Sequence, residues 1–104
     1  MDFDRRASVR RRIAASIEIN HGSQYSRHGR VRDISLGGVY VELPDHDIGP
    51  GTRVFAVLTL NFYREARHQL LADVRRADAD GVALQFRYYG KWTAAALEHL
   101  IATG

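Results

Sequence analysis

The chain has 104 residues, 45% of them apolar, which suits one compact core and leaves little room for a second domain. It contains no cysteine, so a disulfide framework, a thiolate metal site and a cysteine nucleophile are all excluded. The net charge of +3 is uneven: residues 1–32 carry 8 arginines against Asp2, Asp4 and Glu18, while acids outnumber bases in residues 33–104, so the basic end is the N-terminus.

Residues 1–12 have little apolar content beyond Met1, Phe3 and Val9, and five arginines fall between positions 5 and 12. Such a segment is expected to be a flexible arm in the absence of a ligand, leaving residues 13–104 as the folded domain. It lacks the apolar stretch of a signal peptide, and no apolar run in the chain reaches the length of a spanning helix. A soluble, cytoplasmic protein with no membrane insertion is the expectation.

Residues 13–20 alternate, with Ile13, Ala15, Ile17 and Ile19 on one side, the pattern of a half-buried strand. After a turn at His21 and Gly22, further strands are expected at 28–34 and 39–43, separated by Gly37 and Gly38. Residues 44–51 hold two prolines, two glycines and two aspartates and read as a loop, followed by a long strand at 52–61. Residues 61–67 should turn the chain. Strands at 68–77 and 82–89 follow, the latter with Val82, Leu84, Phe86 and Tyr88 inward, joined by a tight turn at Asp80 and Gly81. Trp92, Ala96, Leu97, Leu100 and Ile101 then form an apolar stripe on one helix at about 91–102, with Trp92 expected in the core. Six short strands and a terminal helix predict an all-β fold, a six-stranded antiparallel barrel with the helix packed against an opening.

Two clusters carry chemistry. One is residues 5–10, RRASVR; the other is residues 33–38, DISLGG. If the first two strands are hairpin partners, the base of one lies beside the end of the other, and the arm reaches Asp33 and Ser35. Arginine forks, a carboxylate, a hydroxyl and backbone bare of side chains at Gly37 and Gly38 suit a planar anionic ligand. Arginine pairs with phosphate or with the O6/N7 edge of guanine and stacks on a purine face, and a carboxylate accepts from guanine N–H groups. Fourteen of the 15 basic residues are arginine, a bias that a genome rich in G and C would also produce.

The RxxxR spacing of Arg6 and Arg10, followed by the DxSxxG spacing of Asp33, Ser35 and Gly38, resembles the PilZ domain family, and the resemblance spans essentially the whole chain. It implies a receptor for cyclic di-GMP on the outer surface of the barrel, with no catalytic step and no cofactor beyond that ligand. Arg6 and Arg10 would hold guanine and phosphate, Asp33 and Ser35 would bond base edges or ordered water, and Gly37 and Gly38 would keep the backbone clear. Arg5 resembles the variant in which an extra arginine clasps a second, intercalated nucleotide. Arg11 and Arg12 extend the basic run and would touch phosphate or face solvent. The output would be an altered surface offered to an effector protein, through which the domain acts as an adaptor. Ordering about six arm residues costs roughly 6–12 kcal/mol, to be offset by charge-assisted bonds of about 1.5–3 kcal/mol each.

Plainer readings exist for each feature. The arginine arm alone would read as a basic tail for nucleic acid, and residues 33–38 alone as an ordinary turn. Phe62, Tyr63, Tyr88, Tyr89 and Trp92 could stack single-stranded nucleic acid on a small barrel, and a PilZ-like scaffold that binds no nucleotide is a further alternative. Ser35 lacks the glycine two positions before it and the following helix of a nucleophile elbow. The five histidines show no metal-ligand spacing, so no metal site is expected.

Overall fold

The alternation at residues 13–20 is realised as strand β1, Arg11–His21, in a computed structural model that describes residues 9–22, 25–62 and 64–103. Five more strands follow: β2 (Tyr25–Ile34), β3 (Gly38–Glu42), β4 (Arg53–Asn61), β5 (Glu65–Asp78) and β6 (Gly81–Tyr89), then helix α1 (Lys91–Thr103). They close into a barrel in the order β1-β2-β3-β6-β5-β4, every pair antiparallel. Closure leaves no free sheet edge.

The inward positions carry the core. Ile17 and Ile19 of β1, Val39 and Val41 of β3, Val54, Ala56, Leu58 and Leu60 of β4, Leu70, Ala72 and Val74 of β5, and Val82 and Leu84 of β6 are all buried. Leu97, Leu100 and Ile101 of α1 join the same cluster. The loop at 43–52 crosses from β3 to β4 and is pinned by His46, whose Nδ1 accepts the Ile48 N–H at 3.0 Å. Its Nε2 therefore carries the proton and donates to the Asp78 and Gly81 carbonyls at 2.7 and 3.1 Å, while Ile48 is buried.

Four expectations need correction. Strands β2 and β5 begin at Tyr25 and Glu65, three residues earlier than apolar alternation suggests, because the pairings His21↔Tyr25 and Asn61↔Glu65 continue beyond the core. The strand β1 takes in Arg11 and Arg12, and Arg11 is spent on neither phosphate nor solvent: its Nε donates to the Ile101 carbonyl near the C-terminus of α1 at 2.9 Å. Gly81 opens β6 rather than sitting in the turn, which is made by Ala79 and Asp80. A Cβ on Gly81 would stand 2.0 Å from the Val41 carbonyl oxygen, so close strand approach is what demands glycine there.

The fourth correction concerns which aromatics face inward. Trp92 is 64% exposed; Thr93, 4% exposed, leads the buried stripe and shares a 3.0 Å hydrogen bond with Nδ1 of the buried His68. Tyr88 is 69% exposed because β6 bulges at Arg87: Ala72 pairs with Phe86 but Leu71 with Tyr88. One extra residue inverts the alternation, so that Tyr89 takes the inward side opposite Leu70.

Candidate functional site

The stretch Asp33 to Gly38 ends β2, turns and opens β3. Ser35, 1% exposed, organises the turn: its Oγ accepts the N–H groups of Gly37 and Gly38 at 3.2 and 3.1 Å, and its own N–H donates to the Gly38 carbonyl at 2.8 Å. A Cβ on Gly38 would lie 2.4 Å from the Leu84 carbonyl oxygen, so this glycine is required first by the approach of β3 to β6. The turn is held from the other side by Tyr89, whose hydroxyl donates to the Leu36 carbonyl at 2.9 Å. Burial, aided by the negative charge of Glu98, pushes the Tyr89 hydroxyl above its ordinary pKa, so it stays a donor.

Onto this turn folds Arg10, the residue before β1. The pairings Arg12↔Asp33 and Arg11↔Ile34 bring the start of β1 beside the end of β2. From there Arg10 sets Nε and Nη2 on Oδ1 of Asp33, both at 2.6 Å, and Nη1 at 3.3 Å from Ser35 Oγ. The Arg10 side chain is nonetheless 45% exposed and that of Asp33 22%, so the pair remains open to a ligand.

Beside this pair lies a cleft of about 520 Å³, lined by Arg10, Asp33, Ser35, Gly37 and Gly38 together with Arg32, Tyr40, Arg75, Arg76 and Gln85 among others. Two β-bulges make its cationic wall. On β2, Val31 pairs with Val41 but Asp33 with Tyr40, which leaves Arg32 as the extra residue and turns both Arg32 and Asp33 outward. On β5, Val74 pairs with Leu84 but Arg76 with Ala83, so Arg75 and Arg76 are both exposed. Bulges commonly re-aim side chains in this way beside a site.

Arg32 lies over the Tyr40 ring, 3.8 Å from guanidinium carbon to centroid, with Nε 3.5 Å from Asp33 Oδ2. The Tyr40 hydroxyl donates to Asp78 at 3.0 Å, and burial, with that bond second, raises its pKa. Asp78 is held below its ordinary pKa chiefly by the Asp80 N–H, then by the Tyr40 hydroxyl, so Tyr40 is tied to the β5–β6 turn. Arg75 Nη1 donates to Gln85 Oε1 at 2.5 Å.

Of the residues expected to form a site, the structure brings Arg10, Asp33, Ser35, Gly37 and Gly38 together in one cleft. Arg5 and Arg6 lie outside the described residues. Ser35 is buried with its hydroxyl engaged in the turn and near Arg10, which makes it an organiser of the site's backbone. The sequence reading missed Arg32, Tyr40, Arg75, Arg76 and Gln85; two adjacent arginines in a strand that otherwise alternates were the available signal of a bulge. With four arginines facing one aspartate, the lining is cationic, and its open backbone and Tyr40 ring suit an anion with a planar part. Among the described residues no group of acidic or histidine side chains is arranged to hold a metal, and no helix is long and apolar enough to cross a membrane.

No curated protein matches the sequence. Among solved structures, that of Bacillus subtilis Inhibitor of motility (MotI/DgrA) is similar, with a TM-score of 0.79 at 19% identity, covering 91% of this chain and 48% of that one. The chain thus spans about half the length of that protein, and the likeness is one of fold. A family model described as the PilZ domain matches residues 4–103, nearly the whole length of the barrel, its site and its helix, and the chain belongs to the PilZ domain family.

Proposed function

We propose that this domain is a receptor for cyclic di-GMP that acts as an adaptor toward a partner protein, with no chemical step of its own. The observation that carries this reading is the Arg10 fork set on Asp33 and Ser35 at the mouth of an arginine-lined cleft. PilZ domains generally serve as receptors for this nucleotide, and the residues present fit its chemistry.

In the free protein the fork is occupied by Asp33, a half-exposed ion pair of the kind that contributes at most about 1 kcal/mol. Exchanging it for phosphate or the O6/N7 edge of guanine, at about 1.5–3 kcal/mol per charged hydrogen bond, is favourable. The carboxylate so released is free to accept from guanine N1–H and N2–H. Arg32 and Arg75 or Arg76 can meet the second phosphate, and Ser35 acts by fixing the turn. The segment that precedes β1, with Arg5 and Arg6, would fold over the nucleotide, Arg5 clasping a second, intercalated one, so that two nucleotides bind per chain. Closing the arm over the cleft changes the surface shown to a partner.

Competition against labelled cyclic di-GMP tests this. The nucleotide should displace its label at concentrations where GTP and a short oligonucleotide do not, with a saturating ratio near two. A ratio near one removes the second nucleotide, and displacement by the oligonucleotide that weakens steeply with salt replaces the receptor reading with a nucleic-acid one.

A further inference from the structure

Five large apolar side chains stand exposed among the described residues, and three of them gather at a second cleft: Phe55 of β4, Tyr88 of β6 and Trp92 of α1, at 42%, 69% and 64%. The cleft holds about 770 Å³; its lining also includes Leu70 and Leu71, the cations Arg67 and Lys91, and no carboxylate. Exposed apolar surface gathered in this way marks an interaction site, and tryptophan, tyrosine and arginine are the side chains on which binding energy concentrates.

The placement of Trp92 is built into the fold. Its ring lies against His68, centroids 4.3 Å apart, and His68 is itself 2% exposed and bonded to Thr93 of the same helix. One ring face is thus fixed by the barrel and the other is left to solvent, an anchor whose ordering cost is met in advance. The bulge at Arg87 does the same for Tyr88, turning it out toward this cleft.

We propose that this cleft docks an extended segment of a partner protein that carries an aromatic or aliphatic side chain beside an acidic one. The apolar side chain enters between Phe55, Tyr88 and Trp92, and the carboxylate meets Lys91 and Arg67. Arg67 has only a long contact with Glu18, at 3.5 Å, and is 64% exposed, so it can reach a partner. Charge disfavours two competing occupants and shape a third. A second copy meeting through the same patch would set these cations against each other. Single-stranded nucleic acid needs a basic track along its backbone, and two cations, one shared with Glu18, do not make one. A lipid surface is met by a protruding face, whereas Phe55, Tyr88 and Trp92 line a cleft. The proposal is independent of the nucleotide reading.

Random peptides displayed on phage and selected on the full chain test it, followed by anisotropy of the labelled winners. Trp92 is the chain's single tryptophan, so its emission reports the cleft directly. The selected peptides should share an acidic residue next to an aromatic or aliphatic one and should shift that emission. Trp92→Ala and Lys91→Glu should each weaken them about tenfold or more, while Arg10→Ala leaves them unchanged. An acid in the first turn stabilises a helix, so loss of binding in Lys91→Glu is not a folding defect. Absence of a shared pattern, equal binding to Trp92→Ala, or a shift of Trp92 emission by a thymidine oligonucleotide or anionic vesicles but not by the peptides would overturn the proposal.

Discussion

The two clefts use the same two strands in opposite ways. Toward the β5–β6 turn, Arg75, Arg76, Ala83 and Gln85 border a polar cleft crowded with guanidinium groups; toward the other end, Leu70, Leu71 and Tyr88 border an apolar cleft with cations at its edge. Each strand carries a bulge, at Arg75 within the polar cleft on β5 and at Arg87 between the two clefts on β6. In the first cleft Arg10 is already paired with Asp33 and Arg75 with Gln85, so a ligand must offer those groups better partners than it displaces. In the second, the aromatic faces have nothing to displace but water. Selectivity belongs to the first arrangement and adaptable contact to the second.

That contrast can be broken most strongly at Arg10. We expect Arg10→Ala to weaken cyclic di-GMP by one to a few powers of ten, at about 1.4 kcal/mol per tenfold, without moving Trp92 emission. Next is Gly38→Ala, whose methyl group would stand 2.4 Å from the Leu84 carbonyl oxygen. It should cost about 1–3 kcal/mol in denaturant unfolding and loosen the nucleotide as well, because the same residue closes the turn of Ser35. Tyr89→Phe removes only the bond to the Leu36 carbonyl. The expected loss is about 1 kcal/mol of stability with a severalfold weaker nucleotide, while the aromatic cleft stays intact.

The smallest effect falls on the other cleft and depends on pH. Burial lowers the pKa of His68 from its ordinary 6.5, so the folded protein keeps it neutral where the unfolded chain takes up a proton. This contribution to stability is fully present above about 6.5 and is lost as pH falls below it, as far as the depressed folded value. Melting temperature should therefore decline between about pH 7 and about pH 5, and less so in His68→Gln. Equal slopes in the two proteins would remove His68 from the account.

Much of the architecture is legible in the sequence because a half-buried strand announces itself by alternation. Ile13, Ala15, Ile17 and Ile19, and likewise Val54, Ala56, Leu58 and Leu60, alternate with more exposed neighbours along β1 and β4. Part of the candidate cleft is legible as well: Ser35 and Gly38 are bonded within one turn, and the hairpin of β1 and β2 brings Arg10 to Asp33. What escaped has one cause. A bulge adds a residue to one strand and inverts the alternation beyond it, so Arg76 and Tyr88 stand on a face that strict alternation from the preceding residues denies them. Trp92 escaped differently, since the helical period was right but its phase began one residue later, at Thr93. The reach of Arg11 to the Ile101 carbonyl spans 90 positions and leaves no local trace.

A calorimetric titration of the full chain and of Arg10→Ala with cyclic di-GMP tests the receptor claim most directly. The account predicts saturable, selective binding by the native chain that falls by at least about tenfold in the variant. Absence of binding by the native chain, or equal affinity in the two proteins, would contradict it.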